Sequence, residues 1–530
     1  MRLRNSCLLI CGVNTSGGWG SFSLGSMEII LIRLRKFPLL VIAFAAFSAT
    51  GFSIDTNNTN PSAATDSRKI PITSKSEDAR KEFLLGRDLF DRGLVQDAIP
   101  HFEKAIALDP DFASAELARA NSAVRDPKGV FEHVSKAVSL ANKVSEGERL
   151  LILATDAQVK GDPVKWKEYL DKLAAAHPKD ERAQYELATY YLAMGQFQSA
   201  IDNSKKAAAL TPNFAPAYNV IGYSYQQLGN YTEAASALKK YTELIPDSPD
   251  PYDSYAELLL KMGKFEESIA QYRKALLIDP HYESSRYGIS ADEMYLGRPD
   301  DAQSVLQEMA DKATNESDLR AAYFGMAVLD CDAGKFDQAL RAVDKMYDLS
   351  VQRKDPTAIA LVLQLQGWIM VEMRNYSGAK SKFDAALESI ETSNLPQEVK
   401  DNWTLRHHYD LAGLAIAQKD YTAAKAHAAE FRQGAAHSKD PGELRQAHEL
   451  AGRIALAEND NGLAIAELQQ SNLQDARNLY CLAVAYAGKG DTAKAQEFFD
   501  KVVAFNSLPS INYAFVRAKA QKMSANKKPS

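Results

Sequence analysis

Cysteine is scarce in this 530-residue chain, with four in all. Two of them, Cys7 and Cys11, lie near the start, while Cys331 and Cys481 stand far apart. So few exclude a disulfide framework, and their spacing excludes a metal cluster of paired thiolates; Cys331 and Cys481 read as small buried apolar residues. An excess of basic charge is also missing, since 62 Lys and Arg face 68 Asp and Glu, which argues against nucleic acid as a partner. The phosphate-cradling, zinc-protease and nucleophile-elbow motifs G-x-G-x-x-G, G-x4-G-K-[ST], H-E-x-x-H and G-x-S-x-G are all lacking. No enzyme and no cofactor is therefore expected. His407 and His408 are adjacent and diverge on a helix, and His427, His437 and His448 are too irregular for one helical metal face, so they read as surface or packing residues. Asn459 to Gly462 resembles part of a calcium loop, but Ala457 stands where its first carboxylate belongs, and a turn is the simpler reading.

Long apolar runs are equally few. One stands near the start, where Arg33, Arg35 and Lys36 precede Phe37 to Phe47 and the small residues Ser48, Ala49 and Gly51 follow. That is the order of a secretory signal, with Met27 as the start of translation. Residues 1–54 are thus read as a leader; the competing reading is a membrane anchor over 37–54, the one route to membrane association. From Asp55 to about Ser76 the chain is rich in Asn, Thr, Ser, Pro and Ala, and residues 55–78 read as a flexible linker.

What the rest of the chain has is a period. In Ala215 to Ser248, Tyr218, Ile221 and Tyr225 share one face of a first helix, and Ala234, Leu238 and Tyr241 one face of a second. Gly222 and Ala234 are small where the two helices cross, Gly229 and Asn230 make the turn, and Pro246 stops the second helix. The small position of the first helix recurs at 86, 120, 154, 188, 222, 256 and 290. Beyond Glu283 the phase drifts, with Ala327, Gly367, Ala412, Gly452 and Ala483 as equivalents. Asp355-Pro356, Leu395-Pro396 and Asp440-Pro441 mark helix ends, and Ile511 to Met523 reads as an amphipathic helix capping the stack before a polar, basic tail.

The spacing of Tyr218, Ile221, Gly222, Tyr225, Ala234, Leu238 and Pro246 resembles the tetratricopeptide repeat, as found in bacterial proteins of this type. The resemblance implies an all-α fold, a right-handed α-solenoid of about twelve stacked helical hairpins. Regular 34-residue units are expected over 79–282, longer ones over 283–505, and a capping helix and tail over 506–530. It also implies that ligands lie across the first helices on the concave face. Those places give Arg182, Tyr185 and Thr189; Asn219, Tyr223 and Gln226; Asp253, Glu257 and Lys261; and Tyr287. The family's carboxylate clamp is absent, because Asp253 and Glu257 stand where amide or cationic groups belong, and a ligand with basic or amide-rich segments is expected instead. The reading that follows is a non-enzymatic scaffold binding a protein or peptide partner, exported to the cell envelope. The alternative is a regulatory module whose irregular second half binds a peptide or small effector.

Overall fold

The computed structural model describes residues 69–122, 127–438 and 440–525. The expected leader (1–54), the linker up to residue 68 and the tail from 526 lie outside the described residues. Among those described, 25 α-helices and one short 3-10 turn occur, with no strand. The first 24 helices pair in chain order into twelve hairpins, and Ile511–Ala525 follows alone, so the all-α solenoid expected from the period is present. The chain divides into two compact units, the first ending at Leu258 and the second beginning at Leu259, within helix Asp250–Lys261. No described helix is long and apolar enough to cross a membrane.

The hairpin Ala215–Gln227 and Tyr231–Leu244 shows why the motif folds this way. A β-carbon added at Gly222 would stand 2.5 Å from Leu238 Cγ, so the helices cross at a contact only glycine allows. Gly229 turns the chain with φ +77, and the amide of Asn230 then donates to the Tyr225 carbonyl at 2.9 Å. Glycines at 195, 263 and 297 repeat that backbone in neighbouring hairpins. In the longer hairpins the same left-handed turn is made by Arg374, Lys419 and Asn459, where a side chain carries a penalty of about 1 kcal/mol.

Pro246 stands just past the end of Tyr231–Leu244, as expected, but the prolines at 356 and 441, read as helix ends, begin helices instead. Pro356 and Pro441 take the first helical position behind the capping carboxylates of Asp355 and Asp440, where a missing amide hydrogen loses no bond. Pro127 likewise opens Pro127–Leu140. In the third hairpin the oversized Trp166 packs edge-on against Tyr190, with ring centroids 4.9 Å apart.

Two end segments depart from expectation. The described part of the linker is an ordered strap: Ile70 and Ile72 are buried, and Ile70 fills the space over Gly147. Its backbone amides are received by carboxylates of the first, third and fourth hairpins. Lys75 N donates to Asp109 Oδ2 (2.9 Å), Thr73 N to Glu148 Oε1 (2.9 Å) and Ile70 N to Asp180 Oδ2 (2.9 Å). The polar composition hid two isoleucines that decide its fate. At the other end, helix Ile511–Ala525 does more than cover the last hairpin. It packs against Glu316–Asp332 and Ala476–Gly488, and its first turns bury Ile511, Tyr513, Phe515 and Val516.

Candidate partner-binding face

The ten residues expected to meet a partner lie on the first helices of the fourth to seventh hairpins. None of the ten residues expected there is exposed: nine are buried, and Lys261 is half-buried. The physical reasons differ from place to place.

In the amino-terminal unit, Asp180 caps helix Glu181–Ala193 through the amides of Arg182 (2.8 Å) and Ala183 (3.1 Å). That cap turns Arg182 inward, where its guanidinium forks onto both oxygens of Asp91 and lies 4.9 Å from the Phe214 ring centroid. Tyr185 meets the same ring edge-on at 5.4 Å, so it extends interhelical packing. The Thr189 hydroxyl donates to the Glu186 carbonyl of its own helix, at 2.8 Å.

One helix on, Asn219 and Tyr223 converge with residues of Asp250–Lys261. Asn219 Nδ2 donates to Ser254 Oγ at 3.3 Å, and the Tyr223 hydroxyl lies 3.2 Å from both Ser254 Oγ and Glu257 Oε2. Burial, then the nearby Glu257 and Asp253 carboxylates, push the Tyr223 phenol well above its ordinary value, so it stays a hydrogen-bond donor. Gln226 and Asp253 are buried on the same face. This wall is acidic and amide-rich.

In the carboxy-terminal unit, Lys261 and Tyr287 do hold a non-helical stretch of chain, turned at Asn506 (φ +37) and bent at Leu508 and Pro509, and it is the protein's own. Lys261 Nζ donates to the Phe505 carbonyl at 2.5 Å and lies 4.3 Å from the Phe505 ring centroid; the Tyr287 hydroxyl stands 3.5 Å from the Pro509 carbonyl. Tyr295 donates to the carbonyl of Ser507 between them. The helix that follows is fixed by Asn512 on Asp475 (2.7 Å), Arg517 on Asp332 (2.6 Å) and Lys519 on Glu372 (3.0 Å). Arg477 reaches both Phe515 and Trp368, with centroid distances of 5.5 and 5.6 Å.

Sequence reasoning missed Asp91, Ser254, Asp332 and Glu372. Their partners are 31 to 185 residues away, and no local spacing marks them. It also missed Asp410, which accepts from Gln364 Nε2 (2.6 Å) and Trp368 Nε1 (3.1 Å). Burial raises that carboxyl to about 7, against the opposing pull of Arg406 and the two donors. Among the described residues no group of three metal-ligating side chains stands together. Cys331 is buried, and burial lifts the Cys481 thiol to about 11, which keeps it a protonated and unreactive thiol.

Comparison with known proteins agrees with this helical architecture. Family profiles match at residues 168–241 (anaphase-promoting complex, cyclosome, subunit 3), 83–128 and 249–282 (both tetratricopeptide repeat). No curated protein sequence matches the chain. Among solved structures, a tetratricopeptide repeat protein from Parabacteroides merdae ATCC 43184 is 19% identical, with TM-score 0.36, covering 49% of this chain and 97% of its own. The Cut9–Hcn1 hetero-tetramer of the anaphase-promoting complex is 14% identical, with TM-score 0.38, covering 82% and 78%. A thermophilic repeat protein of Thermus thermophilus is 24% identical, with TM-score 0.25, covering 39% and 98%. Residues 83–128 and 249–282 thus match the tetratricopeptide repeat, the kind of repeat that the helical hairpins and their spacing imply.

Proposed function

We propose that the protein is a non-enzymatic scaffold that holds a protein or peptide partner by an extended segment laid along the inner faces of its first helices. The observation that supports this mode is the grip of Lys261, Tyr287 and Tyr295 on the carbonyls of Phe505, Pro509 and Ser507. Side chains that face inward from successive hairpins there bind main chain, which makes recognition tolerant of the ligand's sequence. In the amino-terminal unit, the buried Asn219, Asp253 and Glu257 give the first helices an acidic and amide-rich character that favours a ligand with basic or amide-rich segments. Placement in the cell envelope rests on the leader alone; alkaline phosphatase fused after residue 60 is active if the chain is exported, and an inactive fusion refutes export.

The mode is tested by placing the photo-cross-linker benzoylphenylalanine at Tyr223 or Gln226, away from the stretch held by Lys261 and Tyr287. Leu277, on a second helix and 83% exposed, is the comparison site. Intermolecular adducts from the inner sites are expected. Adducts from Leu277 with none from Tyr223 and Gln226 would overturn the inner-face reading.

A further inference from the structure

Four hairpins carry a histidine-containing pair at one and the same place between their two helices. The place lies four residues before the small position of the first helix and three after its counterpart on the second. In the first hairpin, counted from Gly86 and Ala98, it holds Glu82 and His101, with His101 Nδ1 2.8 Å from Glu82 Oε2. In the second, counted from Ala120 and Val130, it holds Glu116 and His133, 2.6 Å apart. In the eleventh, counted from Gly452 and Ala464, it holds His448 and Glu467, 2.7 Å apart. All three are histidine–carboxylate pairs, and in two of them a further cation joins the carboxylate, Lys104 on Glu82 and Arg432 on Glu467.

The tenth hairpin, Gln397–Gln418 and Tyr421–Ser438, breaks that rule. Counted from Ala412 and Ala424, its place holds His408 and His427, whose Nδ1 atoms stand 3.1 Å apart with ring centroids at 5.3 Å. The carboxylate has been replaced by a second imidazole. Two neutral rings share one hydrogen bond here, and two protonated rings would repel each other at this distance.

Two convergent imidazole nitrogens are what a borderline cation takes. Zn–N bonds are about 2.0–2.1 Å, which puts two nitrogens on a tetrahedral ion about 3.3 Å apart. The observed separation needs to open by only a few tenths of an ångström. Both rings are half-buried, leaving one side of the pair open to water as further ligand. Glu430, exposed one turn beyond His427, is the nearest carboxylate on the same helix. Lys380, a cation near His427, is paired with Asp384 at 2.7 Å, and Asp384 also faces His407 Nε2 at 3.5 Å.

We propose that His408 and His427 form a binding site for a single zinc-class divalent cation, with both Nδ1 atoms as ligands and water completing the shell. The ion bridges the two helices of the tenth hairpin, a role the proton shared by the two rings fills in its absence.

Calorimetric titration of the full chain with zinc chloride tests this, using His408→Gln and His427→Gln, each of which leaves one ring and a hydrogen-bonding amide. His448→Gln, which alters the matching place in the eleventh hairpin, is the control. One zinc equivalent is expected for the wild type and the control, with affinity lowered roughly tenfold or more in the other two. Equal zinc uptake by all four proteins overturns the proposal. A second reading avoids variants: diethyl pyrocarbonate labelling of the wild type, mapped by mass spectrometry, should show zinc protecting His408 and His427 together. Unchanged labelling of either ring overturns it as well.

Discussion

Replacing Arg517 by Met should loosen the carboxy-terminal helix selectively. The Arg517 guanidinium is 2.6 Å from Asp332 and 5.1 Å from the Tyr295 ring centroid, and the paired side chains are 14% and 13% exposed. Methionine keeps much of the apolar stem but leaves Asp332 as a buried charge without its partner, a loss of about 3–5 kcal/mol. In amide hydrogen exchange of Ile511–Ala525, that corresponds to a rate increase of roughly two to four orders of magnitude. Adding Asp332→Asn removes the stranded charge, so the double variant should recover most of the protection, as buried ion pairs replaced on both sides commonly do. The pH response fixes the mechanism. Burial raises the Asp332 carboxyl above its ordinary value even with Arg517 opposing it. The folded state therefore binds the proton more tightly than the unfolded state, and the penalty in Arg517→Met is full at neutral pH. It should shrink as pH falls through the raised folded value toward the unfolded one. An increase in exchange below tenfold, or a double variant no better protected than the single, would refute this account.

The same reasoning applies elsewhere. Gly222→Ala, whose new methyl meets Leu238 at 2.5 Å, should lower stability by about 1–3 kcal/mol in thermal unfolding, the overpacking range. Gly229→Ala, with open space around it but φ +77, should lose about 1 kcal/mol through backbone strain alone. Arg374→Gly relieves the same strain at a turn that glycine does not yet occupy, and should raise the midpoint of unfolding by up to about 1 kcal/mol equivalent. Asp410 titrates near 7 when folded and lower when unfolded, so it contributes a fall in stability as pH rises from about 4 through 7. Asp410→Asn should flatten that slope in urea unfolding followed across this range.

Most of the architecture can be read from single residues because each acts over a few ångströms. Gly222 opposes Leu238 sixteen residues on, and Gly229 needs no partner at all, so spacing along the chain is enough. The inner face follows other rules. Arg182 does turn inward, but its partner Asp91 is 91 residues away, and nothing near either residue announces the pair. His408 and His427 carry no signal for a related reason: spacing along one helix says nothing of two rings that meet across a hairpin. Lys261 and Tyr287 are expected to hold a foreign peptide and hold residues 505–509, because sequence alone cannot say which segment returns to the groove. The strap shows the limit of composition, since Ile70 and Ile72 outweigh the polar residues around them.

That strap changes how the first hairpins unfold. A stack of repeats behaves as a one-dimensional array in which each unit senses only its immediate neighbours, so ends fray one hairpin at a time. A segment bonded at once to Asp109, Glu148 and Asp180 adds a coupling that skips neighbours. The first, third and fourth hairpins then open together or not at all, and the end of the array that should be the softest becomes a single cooperative block.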